Sequence, residues 1–295
     1  MNKKIRVLIL LATHNGEKFI CEQLTSILNQ KEVDIEVLVS DDLSSDNTLS
    51  IINKFKEENY KIDLLPSDKK FGSASPNFFH LIKESNTKNF DYIAFSDQDD
   101  IWFDDKIISS IKLMKEYNAE GFSSDIFAYW PKINKKKLIK KSFKQKKYDY
   151  LFEGPGPGCT QVLSVNSFNA FKTSIIHNYD SLNSIDYHDW LIYAFYRYND
   201  IRWHISNKPK MLYRQHNSNQ IGANNGLRQK LSRIKDIKNN WYKHQIHNIF
   251  KILSGKNFNE CIKSNYLIFK PFSLRRKKTH SIVIWILILF GALKR

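Results

Sequence analysis

The chain has 295 residues, 42% of them hydrophobic and 26% charged, with only ten Gly and seven Pro. This is enough apolar chain for one large core, and it excludes a disordered, collagen-like or linker-rich protein. Three widely spaced cysteines (Cys21, Cys159 and Cys261) exclude a disulfide scaffold and a cysteine-built zinc site, and they fit a reducing compartment. The net charge of +16 is unevenly spread. Residues 131–147 hold nine lysines and no acid, and residues 227–295 hold sixteen basic residues against Asp236 and Glu260. Without these two segments the rest of the chain carries −7, so a mildly acidic body bears a basic loop and a basic tail.

In chain order, residues 5–12 form an apolar run of the length expected for a buried parallel strand, too short and too soon polar for a secretory signal. Phe19, Ile20, Leu24, Ile27 and Leu28 then predict a helix over 17–29. A second strand is predicted at 35–40, a helix at 48–59, a third strand at 62–65, a helix at 77–84 and a fourth strand at 92–96. Alternation at this pace predicts an α/β fold with a mostly parallel sheet covered by helices, whose ligands sit beyond the carboxyl ends of the strands. Polar clusters stand at those ends: Thr13-His14-Asn15-Gly16, Asp41-Asp42, and Asp97-Gln98-Asp99-Asp100. The second half is less regular, with a lysine-rich stretch read as a solvated loop, the alternative being a surface for an anionic acceptor or lipid, a Gly/Pro turn at 154–158 and a helix over 188–198.

The carboxylates after the fourth strand have the hard-oxygen chemistry that Mg²⁺ or Mn²⁺ shares with phosphate oxygens. A carboxylate after the second strand can accept the ring N–H of a pyrimidine, with another for a ribose hydroxyl. Asp46 is reserved for capping the next helix, while Thr13 and Asn15 lie beneath the nucleotide. At the far end, Arg275, Arg276, Lys277 and Lys278 precede an apolar run over 281–293. As a helix that run reaches roughly 20 Å, short of the about 30 Å hydrocarbon core. The expectation is an end laid into one leaflet with basic residues on anionic head groups; the alternative is a buried core or dimer-interface helix. Nucleic acid is the competing partner for a basic chain, and the acidic strand ends argue against it because they repel phosphate.

The order strand–Thr-x-Asn, Asp-Asp-x-Ser-x-Asp-x-Thr, Ser-Asp-x-Asp-Asp-x-Trp over the first 110 residues resembles the GT-A fold glycosyltransferases of family 2. Residues 148–154, Gly158-Cys159-Thr160, His188-Asp189-Trp190 and Tyr213-Arg214-Gln215-His216-Asn217-x-Asn219 are similar to its rhamnosyltransferase-like branch, out to about residue 226. The resemblance implies a catalytic domain over 1–226, with a nucleotide-binding half (1–110) and an acceptor-side half (111–226), followed by a basic helical tail (227–295). It implies that Asp41 contacts the base with Asp42 nearby, that Asp97 touches the ribose or the metal shell, and that Asp99 coordinates the metal. Asp189 would be the catalytic base, His216 a metal or phosphate contact, and Gly158 part of a tight turn against the donor sugar. The residue before that base is usually Glu, and here it is His188. The implied activity is inverting, metal-dependent sugar transfer at the cytoplasmic face of the membrane to a lipid-linked or surface glycan. The implied donor is dTDP-L-rhamnose, with a UDP-hexose as the alternative. A catalytically dead sugar-binding module is disfavoured by the joint presence of Asp97, Asp99 and Asp189.

Overall fold

The computed structural model describes residues 4–177, 179–216, 240–260 and 267–293. The first half follows the predicted alternation: β1 (Ile5–Thr13), α1 (Ile20–Leu28), β2 (Val33–Asp41), α2 (Thr48–Glu57), β3 (Ile62–Leu64), α3 (Ala74–Glu84) and β4 (Tyr92–Ser96). α3 begins three residues before the predicted start because Pro76 falls in its first turn, where no N–H is needed. The second half supplies β5 (Ile101–Trp102), α4 (Lys106–Glu116), β6 (Gly121–Ser124), β7 (Ile126–Trp130), β8 (Lys135–Ile139), β9 (Val162–Ser164), α5 (Val165–Ile176), α6 (His188–Tyr198), β10 (Trp203–Ser206) and β11 (Met211–Arg214).

The main sheet has the order β10-β6-β9-β4-β1-β2-β3, and only β9 runs antiparallel to its neighbours. β1 is central, paired with β2 and β4, and both its faces are covered. Val7, Ile9 and Leu11 join a core with α1, α2 and α4, while Leu8, Leu10 and Ala12 join the other with α3, α5 and α6. A period of two that feeds two cores reads in sequence as one unbroken apolar run. A second sheet, β5-β11-β7-β8, lies beside the site. The lysine-rich stretch is therefore not wholly a loop: Lys135–Ile139 is an edge strand paired antiparallel with β7. Its lysines are exposed, and an edge strand so charged resists pairing with other chains.

The tail forms α7 (Trp241–Ser254) and α8 (Lys278–Leu289). Ile246, Ile249 and Phe250 of α7, and Ile284 and Ile288 of α8, belong to the same hydrophobic cluster as α6. The expected boundary at residue 226 lies outside the described residues. Two of the four basic residues expected on lipid head groups are held inward. Arg276 is buried, 3.7 Å from Asp149 and 3.6 Å from Glu153, and donates to the Gly154 carbonyl at 2.7 Å; Arg275 pairs with Glu153 at 3.2 Å. Asp149 also pairs with Arg197 at 3.1 Å. Burial pushes the Asp149 carboxyl up while Arg197 and Arg276 hold it down. Arg276→Ala strips one partner from a buried carboxylate and should cost about 3 kcal/mol of stability. Urea unfolding followed by circular dichroism checks this, and an unchanged midpoint would show that the tail does not brace the domain.

Candidate active site

The strand-end clusters are tied to one another by polar side chains. The Asp41 carboxylate accepts from the Thr13 hydroxyl (2.7 Å), the Ser44 N–H (2.7 Å) and the Ser44 hydroxyl (2.6 Å). Asp42 accepts from the Phe71 and Gly72 backbone N–H groups and so fixes the loop before α3. Asn15 sits in the left-handed region (φ 48°), which Asn tolerates, and its side-chain oxygen accepts from the Ser45 N–H at 2.8 Å. Gln98 spans to the first cluster by accepting from the His14 N–H (2.8 Å) and donating to the His14 carbonyl (2.9 Å). A Cβ at Gly16 would stand 2.3 Å from the Gln98 oxygen, so that glycine permits the clamp. Asp46 takes its expected place at the start of α2, accepting from the Thr48 N–H at 3.0 Å. Asp41 and Asp42, expected on the ligand, also make these bonds within the chain.

The acidic cluster lies where β4 ends. Asp97, Asp100 and Cys159 each offer a ligand atom within 4.8 Å of the others. Asp99 turns to His216, whose Nε2 lies 2.7 Å from its carboxylate while the ring stacks on Phe19 at 4.5 Å. The expected set of Asp97, Asp99 and His216 is thus divided between two adjacent groups. Burial, with Asp99 and then Asp189 adding to it, pushes the Asp97 carboxyl up to about 7 against a hydrogen bond from Cys159. Burial followed by the Asp99 and Asp97 charges raises the Asp100 carboxyl well above its usual range, and its Oδ2 has no hydrogen-bond partner among the described residues. An orphaned carboxylate oxygen among like charges is an environment that a divalent cation relieves. The oxygen donors suit Mg²⁺ or Mn²⁺, whereas a thiol does not, which makes Cys159 a neighbour rather than a ligand.

Asp189 opens α6 and accepts from the Trp190 N–H at 2.8 Å. Burial pushes its carboxyl up to about 6, while the Trp190 N–H and the Lys141 charge pull it back. Its helix is placed by the Gly/Pro turn. A Cβ at Gly158 would stand 2.6 Å from His188 Nε2, so the glycine provides room for that imidazole. The His188 ring is stacked on Phe78 at 4.0 Å, and burial drives its pKa down to about 3. It is therefore a neutral, packed residue beside Asp189.

Several residues that carry the site had no role in the sequence reading. Arg214 donates to the Asp99 carbonyl (2.8 Å), to the Asp100 carboxylate through its backbone N–H (3.2 Å) and to Glu22 (2.5 Å), and so pins the acidic loop to β11 and α1. Gln161 donates to the Asp189 carbonyl at 3.0 Å. The Lys106 amine is buried 3.4 Å above the Trp102 ring, and burial drops it to about 7. The run Tyr213-Arg214-Gln215-His216 was a visible signal for Arg214. Lys106, in contrast, looked like any solvated lysine at a helix start.

This constellation, on this sheet, defines a glycosyltransferase of GT-A fold. The chain belongs to glycosyl transferase family 2, whose model matches residues 8–175. It is a nucleotide-sugar glycosyltransferase. It is 43% identical to the dTDP-rhamnosyl transferase RfbG of Shigella flexneri, over 95% of this chain and 99% of that protein. It is 31% identical to the Escherichia coli UDP-Glc:alpha-D-GlcNAc-diphosphoundecaprenol beta-1,3-glucosyltransferase WfgD, over 63% of this chain and 68% of that one. Staphylococcus aureus TarS 1-349 in complex with UDP-GlcNAc shares the fold at a TM-score of 0.55 and 14% identity, covering 98% of this chain and 82% of that structure. Mannosyltransferase PcManGT from Pyrobaculum calidifontis, solved with GDP-Man and Mn²⁺, does so at 0.53 and 12% identity, covering 99% and 88%.

Proposed function

We propose that the enzyme transfers L-rhamnose from dTDP-L-rhamnose, with inversion, to a hydroxyl of a lipid-diphosphate-linked glycan at the cytoplasmic face of the membrane. The identity to RfbG over nearly both full lengths carries the donor, and the name of WfgD carries the lipid-diphosphate acceptor. The nucleotide diphosphate lies across the strand ends, with the base and ribose toward Asp41, Asp42, Thr13 and Asn15 and the phosphates toward Asp97, Asp99 and His216. A divalent ion held by Asp97 and Asp99 would offset the negative charge that gathers on the departing diphosphate. Asp189 takes the proton from the acceptor hydroxyl as the oxygen attacks the anomeric carbon from the face opposite the diphosphate, so one base suffices. The Gln161 bond to its backbone carbonyl holds the start of α6, and the Trp190 N–H bond holds the carboxylate. A donor panel on the purified enzyme with lipid-diphosphate-linked acceptors tests the reading. Transfer from dTDP-rhamnose with an inverted anomeric signal in the NMR spectrum is expected, and turnover with a UDP-hexose alone would replace the donor.

The same reading places the tail on the bilayer. No helix among the described residues is long and apolar enough to cross a membrane. α8 is apolar all round, which calls for cover on both sides. Ser281, Ile284 and Ile288 face the protein, whereas Val283, Ile286 and Phe290 share an exposed face. Phe290 (84% exposed), Phe269 (77%) and Phe272 (55%) are further exposed rings of the tail, which also carries Lys277 and Lys278. Deleting residues 275–295 would also strip Arg276, Ile284 and Ile288 from the core, so point changes are the clean test. Replacing Phe269, Phe272 and Phe290 by Ser should weaken binding to phosphatidylglycerol vesicles, read by flotation, about a hundredfold or more, at roughly 1–2 kcal/mol per aromatic ring, and leave dTDP binding unchanged. Unaltered flotation would contradict this anchor.

A further inference from the structure

The two basic segments that stand apart in the sequence meet in space. The Phe143 ring meets both Lys140 Nζ (5.3 Å) and Lys277 Nζ (4.8 Å), one from each segment. The Tyr148 ring likewise meets Lys147 (5.6 Å) and Lys270 (5.2 Å), and the Tyr148 N–H donates to the Ser273 carbonyl at 3.0 Å. Just past the end of β8, buried Asp125 accepts from the Lys141 and Ser142 N–H groups and fixes the chain there. The Lys141 side chain then runs 3.3 Å from the Cβ position of Gly156, in the turn that packs on the start of α6, and its charge is felt at the Asp189 carboxyl. The acids of this region are already spent: Glu153 and Asp149 bind Arg275, Arg276 and Arg197. Lys140 and Lys277 form no ion pair among the described residues. The two like charges beside one ring, Lys140 and Lys277, repel one another, and an anionic ligand removes that cost.

We propose that Lys140, Lys141 and Lys277 form an anion site on the acceptor side of Asp189 that takes the diphosphate of the lipid-linked acceptor. This rests on the acceptor reading above and assigns residues to it. The edge-strand lysines Lys135, Lys136 and Lys137 are not included, because their exposure on β8 already has the role of blocking edge pairing. The site sets acceptor affinity without taking part in donor binding.

The probe is decyl diphosphate, titrated calorimetrically into the full chain with the donor site filled by dTDP and Mn²⁺. The wild-type chain should bind it. The Lys140→Ala/Lys141→Ala/Lys277→Ala chain should bind about tenfold or more weakly, and Lys141→Arg within about threefold, since an arginine keeps the charge-assisted contacts. All variants should keep wild-type dTDP affinity and melting temperature. Equal affinity in the triple variant, or no binding of decyl diphosphate to the wild type, would overturn the site. So would a triple variant that loses phosphatidylglycerol vesicles but keeps decyl diphosphate, because the lysines would then serve lipid head groups. A wild-type chain that binds decyl diphosphate but not dTDP would remove the donor reading and leave the lysine site standing.

Discussion

Asp189→Asn is expected to lower turnover by about 10²–10⁴-fold while dTDP binding stays intact. The substitution keeps an oxygen for the Trp190 N–H, now 2.8 Å away, so α6 loses no cap and the chain should fold as before. It removes only the capacity to take a proton. The pH profile carries the same information with its sign fixed. A base must be deprotonated to act, and burial holds the Asp189 carboxyl at about 6 rather than at the usual value near 4. On the acid side kcat/KM should therefore fall about tenfold per pH unit below about 6, and no plateau should extend down to pH 5. Steady-state rates of the wild type between pH 5 and 8 check the profile. A near-normal rate for Asp189→Asn would place the base elsewhere.

Asp99→Ala should cost about 10²–10³-fold in kcat/KM, the scale of removing one group that stabilises charge in a transition state. Asp99 stands between His216 and the buried carboxyls of Asp97 and Asp100, and its loss frees the ring stacked on Phe19. The backbone of the loop should survive, because Arg214 holds it through the Asp99 carbonyl and not through its side chain. The expected pattern is therefore low activity with an unchanged melting temperature and a much higher Mn²⁺ requirement. Wild-type activity across a Mn²⁺ titration would take Asp99 out of the metal shell.

The same contrast between backbone and side chain explains what the sequence could and could not disclose. β1 and β4 are legible because strands buried on both faces show unbroken apolar runs, β2 because its apolar residues alternate along it, and all three end in polar clusters. β6 and β9–β11 are three or four residues long, and β8 is a run of lysines with no buried face, so no periodicity marks them. At the site, Asp97, Asp99 and Asp189 are visible by position after a strand or at a helix start. Arg214 bonding Asp99 across 115 positions is set by the meeting of two sheets, which no local pattern encodes. The basic tail is the sharper lesson. Counted along the chain it is a free +14 segment, yet the partners of Arg275 and Arg276 lie more than 120 positions upstream at Asp149 and Glu153. Net charge summed over a segment does not report which charges are already paired.

The most direct test of the central claim is a calorimetric titration of dTDP into the full chain in Mn²⁺ and again in EDTA. Saturable binding in Mn²⁺ that weakens at least about tenfold in EDTA is the predicted result, since a divalent ion beside Asp97, Asp99 and Asp100 would supply the positive charge that offsets the diphosphate. Equal affinity in both buffers, or none in either, would contradict a metal-assisted nucleotide site at the strand ends.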